Sequence, residues 1–361
     1  KLVEIPDDTV FFGELSLSGE IRWVRGILPM VMEAARSGEG DIVVPYENIK
    51  ELEILNNPRI KPLKTLLDIQ KVTEAAFAID RTVDQLSVID GGSDNFSDIS
   101  GQEELVDSFV TSAAGHHHML IVGPPGSGKT MCASRMPSIM SSLLPDELLE
   151  LNMIYSIASD FNDRIHLNCR PFRAPHNSSS TRALIGGGVK LLPGEVSLAH
   201  RGVLFLDEFL EFRNDALQAL RTVIEKKEVY ISLRNGSARY PADFILIAAT
   251  NPCECGFYDT EKNSCICTLT NVKKYRKKLK NPLTDRIDIQ VKVKRLPYKN
   301  IYNGQNVTDS EKMKEAINIT GDICNFRYKE EQFKNNSEIP PDKINYYCKL
   351  DFKSEQILER F

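Results

Sequence analysis

The segment Gly123-Pro-Pro-Gly-Ser-Gly-Lys-Thr130 follows a short apolar run, His118-Met-Leu-Ile-Val122, and precedes a stretch from Met131 that reads as a helix. Strand, G-x-x-x-x-G-K-[ST] loop and helix, in that order, make a phosphate cradle. Glycines let backbone amides turn toward phosphate oxygens, and the helix N-terminus adds partial positive charge. The candidate nucleotide-binding positions are Gly123, Pro124, Pro125, Gly126, Ser127, Gly128, Lys129 and Thr130. Lys129 would reach the β- and γ-phosphates, and the Thr130 hydroxyl would ligate Mg²⁺. A chance glycine-rich turn is the alternative; the agreement of both flanks argues against it.

Gly202-Val-Leu-Phe-Leu-Asp-Glu208 predicts a buried central strand. Asp207 and Glu208 then emerge at its C-terminal end, where open α/β sheets bind ligands. Asp207 would hold Mg²⁺ and Glu208 would polarise an attacking water. Alone, this pair reads more naturally as an acidic cap on the next helix; beside the phosphate loop it reads as catalytic. Phe244-Ile-Leu-Ile-Ala-Ala-Thr-Asn251 predicts a further buried strand that places Asn251 beside the γ-phosphate, where it would orient water. Arg286 stands at the start of a strand predicted over 287–293. From there it would supply charge to a neighbouring subunit's phosphate; a structural pair with Asp285 or Asp288 fits the spacing equally well.

Cys253-Glu-Cys255 and Cys265-Ile-Cys267 form two C-x-C pairs. Four soft thiolates can build a closed tetrahedral Zn²⁺ site, with Gly256 easing the turn between the pairs. C-x-C is tighter than the usual ligand spacing, so four unliganded thiols in a loop remain the alternative. A structural role is favoured over a catalytic one, because no open coordination position or base is evident. Lys273-Lys-Tyr-Arg-Lys-Lys-Leu-Lys280 could neutralise DNA phosphates, but a solvated helix face near a subunit interface is the preferred reading. His176 and His200 are read as hydrogen-bonding residues rather than metal ligands.

These groups need a scaffold. The chain has 361 residues, enough for two to three domains, and its 42% hydrophobic and 26% charged content excludes a fibre, a disulfide mini-protein and a disordered chain. Residues 1–89 read as a small α+β unit: a hairpin turning at Ser18-Gly19, a helix from Ile27 to Arg36 and a buried strand Asp41-Ile-Val-Val44. Residues 90–96 are polar and glycine-rich and read as a linker. Residues 97–296 alternate strand and helix, which predicts a parallel sheet with helices on both faces. Residues 297–361 read as helical and charged. His116-His117-His118 directly precedes a strand and is read as native. No apolar run is long enough to cross a bilayer and no leader pattern is visible at Lys1, so a cytoplasmic protein without membrane partners is expected. The absence of an initial Met predicts that the true N-terminus lies upstream. A net charge of −5 neither demands nor excludes nucleic acid, since a local basic surface suffices.

Taken in order, these pieces resemble the AAA+ ATPases: Walker A over Gly123–Thr130, Walker B over Val203–Glu208, sensor 1 at Asn251 and an arginine-finger segment at Asp285-Arg286. Arg170-Pro-Phe-Arg-Ala-Pro-His176, Leu184-Ile-Gly-Gly-Gly188 and Pro193-Gly-Glu-Val-Ser-Leu-Ala-His200 are similar to the magnesium-chelatase-like ComM/YifB family. The resemblance covers most of the chain. It implies an α/β P-loop NTPase core with an insert in its second helix, around Ser178–Pro193, and a hairpin before sensor 1 around Asn235-Gly236. It also implies a ring homo-oligomer, a hexamer when full length, that uses ATP and Mg²⁺ to drive branch migration of DNA. A metal-chelatase motor subunit shares the same core, and a nucleotide-dependent scaffold is a further alternative. The first unit resembles a partial Lon-protease-like domain, with Met30 where Lon proteases carry a catalytic lysine, which implies that it is not proteolytic. The last segment is implied to be a partial helical lid. Asn177 stands where the family often has His, and the sensor-2 arginine is expected beyond Phe361.

Overall fold

The computed structural model describes residues 5–38, 40–71, 87–89, 95–99, 101–158, 165–233, 236–258, 265–295 and 309–360. Its centre is a five-stranded sheet: β1 (Met119–Val122), β2 (Phe172–Arg173), β3 (Val203–Leu206), β4 (Ile245–Thr250) and β5 (Ile289–Lys292). The spatial order is β5-β1-β4-β3-β2, and every pairing is parallel. β3 and β4 are buried along their whole length, as sequences carrying almost no polar residue require.

Alternate residues of these strands feed two separate cores. Leu204, Leu206, Leu246 and Ala248 face the helix Asn214–Lys226 through Leu217 and Leu220. Val203, Phe205, Ile245, Ile247 and Ala249 face the helices Glu103–Gly115 and Lys129–Ile139 through Phe109, Ala133 and Met136. The period of two along each strand thus makes a three-layer α/β core. Met313 and Ile317 of the helix Ser310–Arg327 join the second cluster, so the first turns of the last segment belong to this core. Its C-terminal part builds a small aromatic cluster of Tyr328, Phe333 and Tyr347.

The linker reading changes at its C-terminal end. Residues 90–94 lie outside the described residues. Phe96 is fully buried, its amide donates to Ser310 Oγ at 2.9 Å, and Asn95 Nδ2 donates to Asp309 at 2.9 Å. Asn95 and Phe96 therefore dock on the core.

In the first unit the helix is Ile27–Ser37 and the buried strand is Ile42–Pro45, flanked in parallel by Val10–Phe11 and Ile60–Leu63. The hairpin is shorter than the alternation suggests: only Glu14–Leu15 pairs with Ile21–Arg22. Phe11 departs to the other sheet because the chain bends at Gly13, where φ is +155° and a Cβ would lie 2.6 Å from Ile21. The unit is sealed by the helix Pro145–Ala158, whose Leu149 and Met153 pack into its core. The Gly26 amide donates to Ser156 O at 3.0 Å across this seam.

The three histidines before β1 are all used. His116 Nε2 lies 3.1 Å from Asp243, and His117 Nδ1 lies 2.9 Å from Asp288. His118 Nδ1 accepts the Leu246 amide at 3.0 Å. Burial holds His118 neutral, with its pKa lowered to about 4. The unfolded chain takes up this proton near pH ~6.5, and the folded chain does not until about pH 4. The stabilisation is complete above the unfolded pKa and fades as pH falls toward 4, a loss of about 3 kcal/mol. His118→Asn is expected to flatten the pH dependence of the urea midpoint between about pH 6.5 and 4. An unchanged slope would show that this imidazole is not the group responsible.

Candidate functional site

The strand order reverses around β1 and β4, and the carboxyl ends of β1, β3 and β4 open onto one crevice. The phosphate loop leaves β1 there. Gly126 and Gly128 adopt φ of +71° and +86°, left-handed values that a side chain would strain. Gly123 is needed for space: a Cβ would lie 2.9 Å from Val293 O.

Lys129 starts its helix and is buried among the loop's own carbonyls. Its Nζ donates to Gly123 O at 2.7 Å and Pro124 O at 3.0 Å, and reaches Asn251 Oδ1 at 3.4 Å. Burial lowers its pKa, partly countered by the Asp207 carboxylate. Asn251 is delivered by β4, whose last residue, Thr250, is buried with its hydroxyl 3.2 Å from Tyr275 Oη.

Thr130 Oγ1 donates to Asp207 Oδ2 at 2.9 Å. Two hard oxygen donors so placed at the mouth of a phosphate loop fit Mg²⁺. Ser127 Oγ is buried with no hydrogen-bond partner among the described residues, as fits a hydroxyl in a loop built for a polyanion. These residues fit a nucleoside triphosphate with its metal.

Glu208 sits in the left-handed region at φ +50°, a strain of about 1 kcal/mol for a residue with a Cβ. That conformation turns the chain sharply after β3. Its Oε2 accepts from Asn177 Nδ2 at 2.6 Å. Asn177, noted from the sequence only as a departure from a family pattern, is thus brought directly to the candidate base.

Arg286 is placed elsewhere. It ends a single 3₁₀ turn, Thr284–Arg286, and β5 begins only at Ile289. The alternative of a structural pair with Asp285 or Asp288 gives way to another partner: Arg286 Nε and Nη2 both donate to Glu225 Oε1, at 3.0 and 2.8 Å. Asp288 is engaged by His117 instead. Glu225 also receives Arg221 from one turn back on its helix, and these hydrogen bonds hold its carboxyl below the usual range.

The family-specific block serves mainly as scaffold. Arg173 at the end of β2 makes a two-pronged pair with Glu195, at 2.7 and 2.8 Å. Arg170 donates to Ser141 O and Arg201 O, both at 2.6 Å. His200 is buried between Glu150 and the Asp243 amide, at 3.0 Å from each, a structural histidine as read from the sequence. His176 hydrogen-bonds Ser178 Oγ at 2.7 Å. Between them, Gly186–Gly187 and Leu192–Pro193 pair as a small ribbon, with Val189 at its exposed tip. The second hairpin joins Glu228–Leu233 to Gly236–Pro241. Leu233 pairs with Gly236, so Gly236 is a strand residue rather than part of the turn. Tyr240 Oη donates to Leu191 O at 2.8 Å, which fastens ribbon and hairpin together.

The four cysteine sulfurs all lie within 4.8 Å of one another. The Sγ separations are 3.4 Å for Cys253 and Cys255, 3.6 Å for Cys255 and Cys265, and 3.8 Å for Cys253 and Cys265. Thiolates at about 2.3 Å from a tetrahedral Zn²⁺ stand about 3.8 Å apart, so the donor set and spacing fit zinc. The Phe257 amide lowers Cys255 to about 6, whereas desolvation and the neighbouring sulfurs push Cys265 up to about 12. Thiols this close ionise together only around a cation.

One contributor escaped sequence reasoning. Gln102 Nε2 donates to Ser127 O at 3.2 Å and Lys294 O at 2.8 Å, tying the phosphate loop to the chain after β5. In the sequence it is marked only by the Gly101-Gln102 pair before the helix Glu103–Gly115; the left-handed φ of +70° and +60° at these positions belongs to the structure.

A parallel α/β sheet with a phosphate loop after its first core strand and acidic residues at the end of β3 defines a P-loop nucleotide-binding protein. The family model of magnesium chelatase subunit ChlI matches residues 95–301, and a second model of that subunit matches residues 1–48. The chain is 36% identical over 335 residues to an uncharacterized protein of Mycobacterium tuberculosis, covering 92% of this chain and 66% of that one. It is 32% identical to the competence protein ComM of Haemophilus influenzae, over 97% of this chain and 69% of that protein. It is 34% identical to the uncharacterized protein YifB of Escherichia coli, over 98% and 69%. The chain belongs to the magnesium-chelatase-like AAA+ family that includes ComM and YifB. It spans about two thirds of the length of these relatives. No helix among the described residues is long and apolar enough to cross a membrane.

Proposed function

We propose that the protein hydrolyses ATP between subunits of a ring and uses the cycle to move DNA, in the manner of a branch-migration helicase. The observation that carries the hydrolytic part is that Lys129 reaches Asn251 and Thr130 reaches Asp207 at the carboxyl end of the sheet, with Glu208 next to Asp207 in the chain. Residues 123–130 bind the phosphates. Thr130 and Asp207 would hold Mg²⁺, which supplies charge neutralisation. Glu208 accepts a proton from water that Asn251 helps orient.

Arg286 completes a neighbour's site. β1 and β5 are parallel, the phosphate loop follows the C-terminal end of β1, and Arg286 precedes the N-terminal end of β5. A four-residue strand spans ~13 Å, so Arg286 lies at the far end of the sheet from its own phosphate loop. A phosphate it serves therefore belongs to another subunit.

The DNA reading rests on similarity to a competence protein and on the coupled ribbon and hairpin, whose Val189 and Tyr230 are exposed. We read these loops as the elements facing a central channel. The first unit is read as a Lon-like domain without protease activity, Met30 standing at the lysine position, and the last segment as a helical lid. ATPase stimulation by branched DNA is the expected result; stimulation only by a chelatase partner would favour the metal-chelatase reading suggested by the matching family model.

The four cysteines are read as a zinc site. Protein purified without chelators is expected to hold about one equivalent of zinc by elemental analysis. Less than about a tenth of an equivalent of any metal would reject that assignment.

A further inference from the structure

Four thiols within reach of one metal ion would be unremarkable in a remote loop. Here they sit against the nucleotide crevice. Cys253 is two residues beyond Asn251 and fully buried. Its carbonyl accepts the Gly256 amide at 3.0 Å, and its sulfur lies 3.3 Å from the Tyr258 amide. The turn so formed holds Gly256 at φ +83° and presses it onto the phosphate loop. A Cβ on Gly256 would lie 2.6 and 2.8 Å from Cδ and Cγ of Pro125, and 3.8 Å from Cγ of Asn251.

The second pair of thiols ties in another element. Cys265 and Cys267 immediately precede the helix Leu269–Lys277, capped by Thr268, whose hydroxyl accepts the Asn271 amide. Tyr275 of that helix meets Thr250 beneath Asn251, and Arg276 stacks over Tyr258 at 4.6 Å. Thiol–thiol contacts are weak, whereas four metal–thiolate bonds join the two arms rigidly.

We propose that the four-cysteine loop is a clamp on the nucleotide site, in which metal bound by Cys253, Cys255, Cys265 and Cys267 fixes Gly256 against Pro125 and so positions the phosphate loop and Asn251 for turnover. This rests on the zinc reading above. Gly256 and Pro125 are then positioning residues, and metal occupancy governs hydrolysis rather than merely fold stability. Misplacing catalytic groups by about 1 Å is enough to slow turnover about 10²-fold.

The experiment uses the full chain and begins with its zinc content. Gly256→Ala leaves all four thiols in place, so it should retain the parental zinc content. It should nevertheless lose at least about tenfold in ATP hydrolysis, because the new methyl group meets the Pro125 ring and strains a left-handed backbone position. Adding Pro125→Ala removes the colliding ring atoms, and the double variant should hydrolyse ATP faster than Gly256→Ala alone. A second readout needs no substitution. Stripping zinc from the parental protein should speed amide exchange across residues 123–130 and 245–251 while leaving the strand 42–45 unchanged. A zinc-replete Gly256→Ala protein with parental hydrolysis overturns the clamp and leaves the zinc site standing. So does a stripped protein whose 123–130 exchange is unaltered. Absence of metal in the parental protein removes the zinc reading itself, and the clamp with it.

Discussion

Glu208→Gln is expected to bind ATP with near-parental affinity and to hydrolyse it about 10²–10⁴-fold more slowly. Binding is assigned to residues 123–130, none of which touches Glu208 in the hydrogen bonds around the site. The substitution keeps the side chain's size, and its amide oxygen can still accept from Asn177. What it removes is the basicity needed to take a proton from water. Fluorescent-nucleotide titration and phosphate release measured on the same preparation separate the two effects. Weakened ATP binding with unaltered turnover of the bound nucleotide would overturn the role given to Glu208.

Arg286→Ala is expected to show a comparable or larger loss of hydrolysis, about 10³–10⁵-fold if it acts as an arginine finger. Its binding of ATP should be near normal, because the subunit's own phosphate loop is intact. The structure adds a competing partner: in this chain the guanidinium is held by Glu225. Both side chains are partly exposed, so that pair contributes little to stability and can be exchanged for a phosphate. The decisive measurement mixes two inactive variants of the protein under conditions in which it forms rings. Lys129→Ala subunits carry an intact Arg286, and Arg286→Ala subunits carry an intact phosphate loop. Mixed rings contain some interfaces with both working halves and should regain part of the hydrolysis. No recovery in rings shown to be mixed would leave Arg286 as the structural partner of Glu225.

Much of the core could be read directly along the chain. The phosphate loop, the β3 acidic pair and the buried β4 strand each lie within about ten consecutive residues, and their chemistry follows from local spacing. The hairpin expected around Asn235-Gly236 is present, but Gly236 is paired as a strand residue with Leu233, since pairing register depends on both strands. The short first hairpin and the docking of Asn95 and Phe96 were hidden for a similar reason: both are decided by neighbours distant in sequence.

The sequence by itself determined the α/β architecture, the candidate residues for phosphate and Mg²⁺, and the presence of four thiols with metal-binding potential. Tertiary structure alone decided who meets whom. Arg286 finds Glu225 across 61 residues, and Asn177 reaches Glu208 across 31. It also brought the thiols of two C-x-C pairs together and set Gly256 against Pro125, a contact no spacing rule announces. The physical reason is that hydrogen-bond periodicity and loop conformation are properties of short segments. Contacts between side chains far apart in the chain exist only once the sheet order and the two faces of its core have placed them.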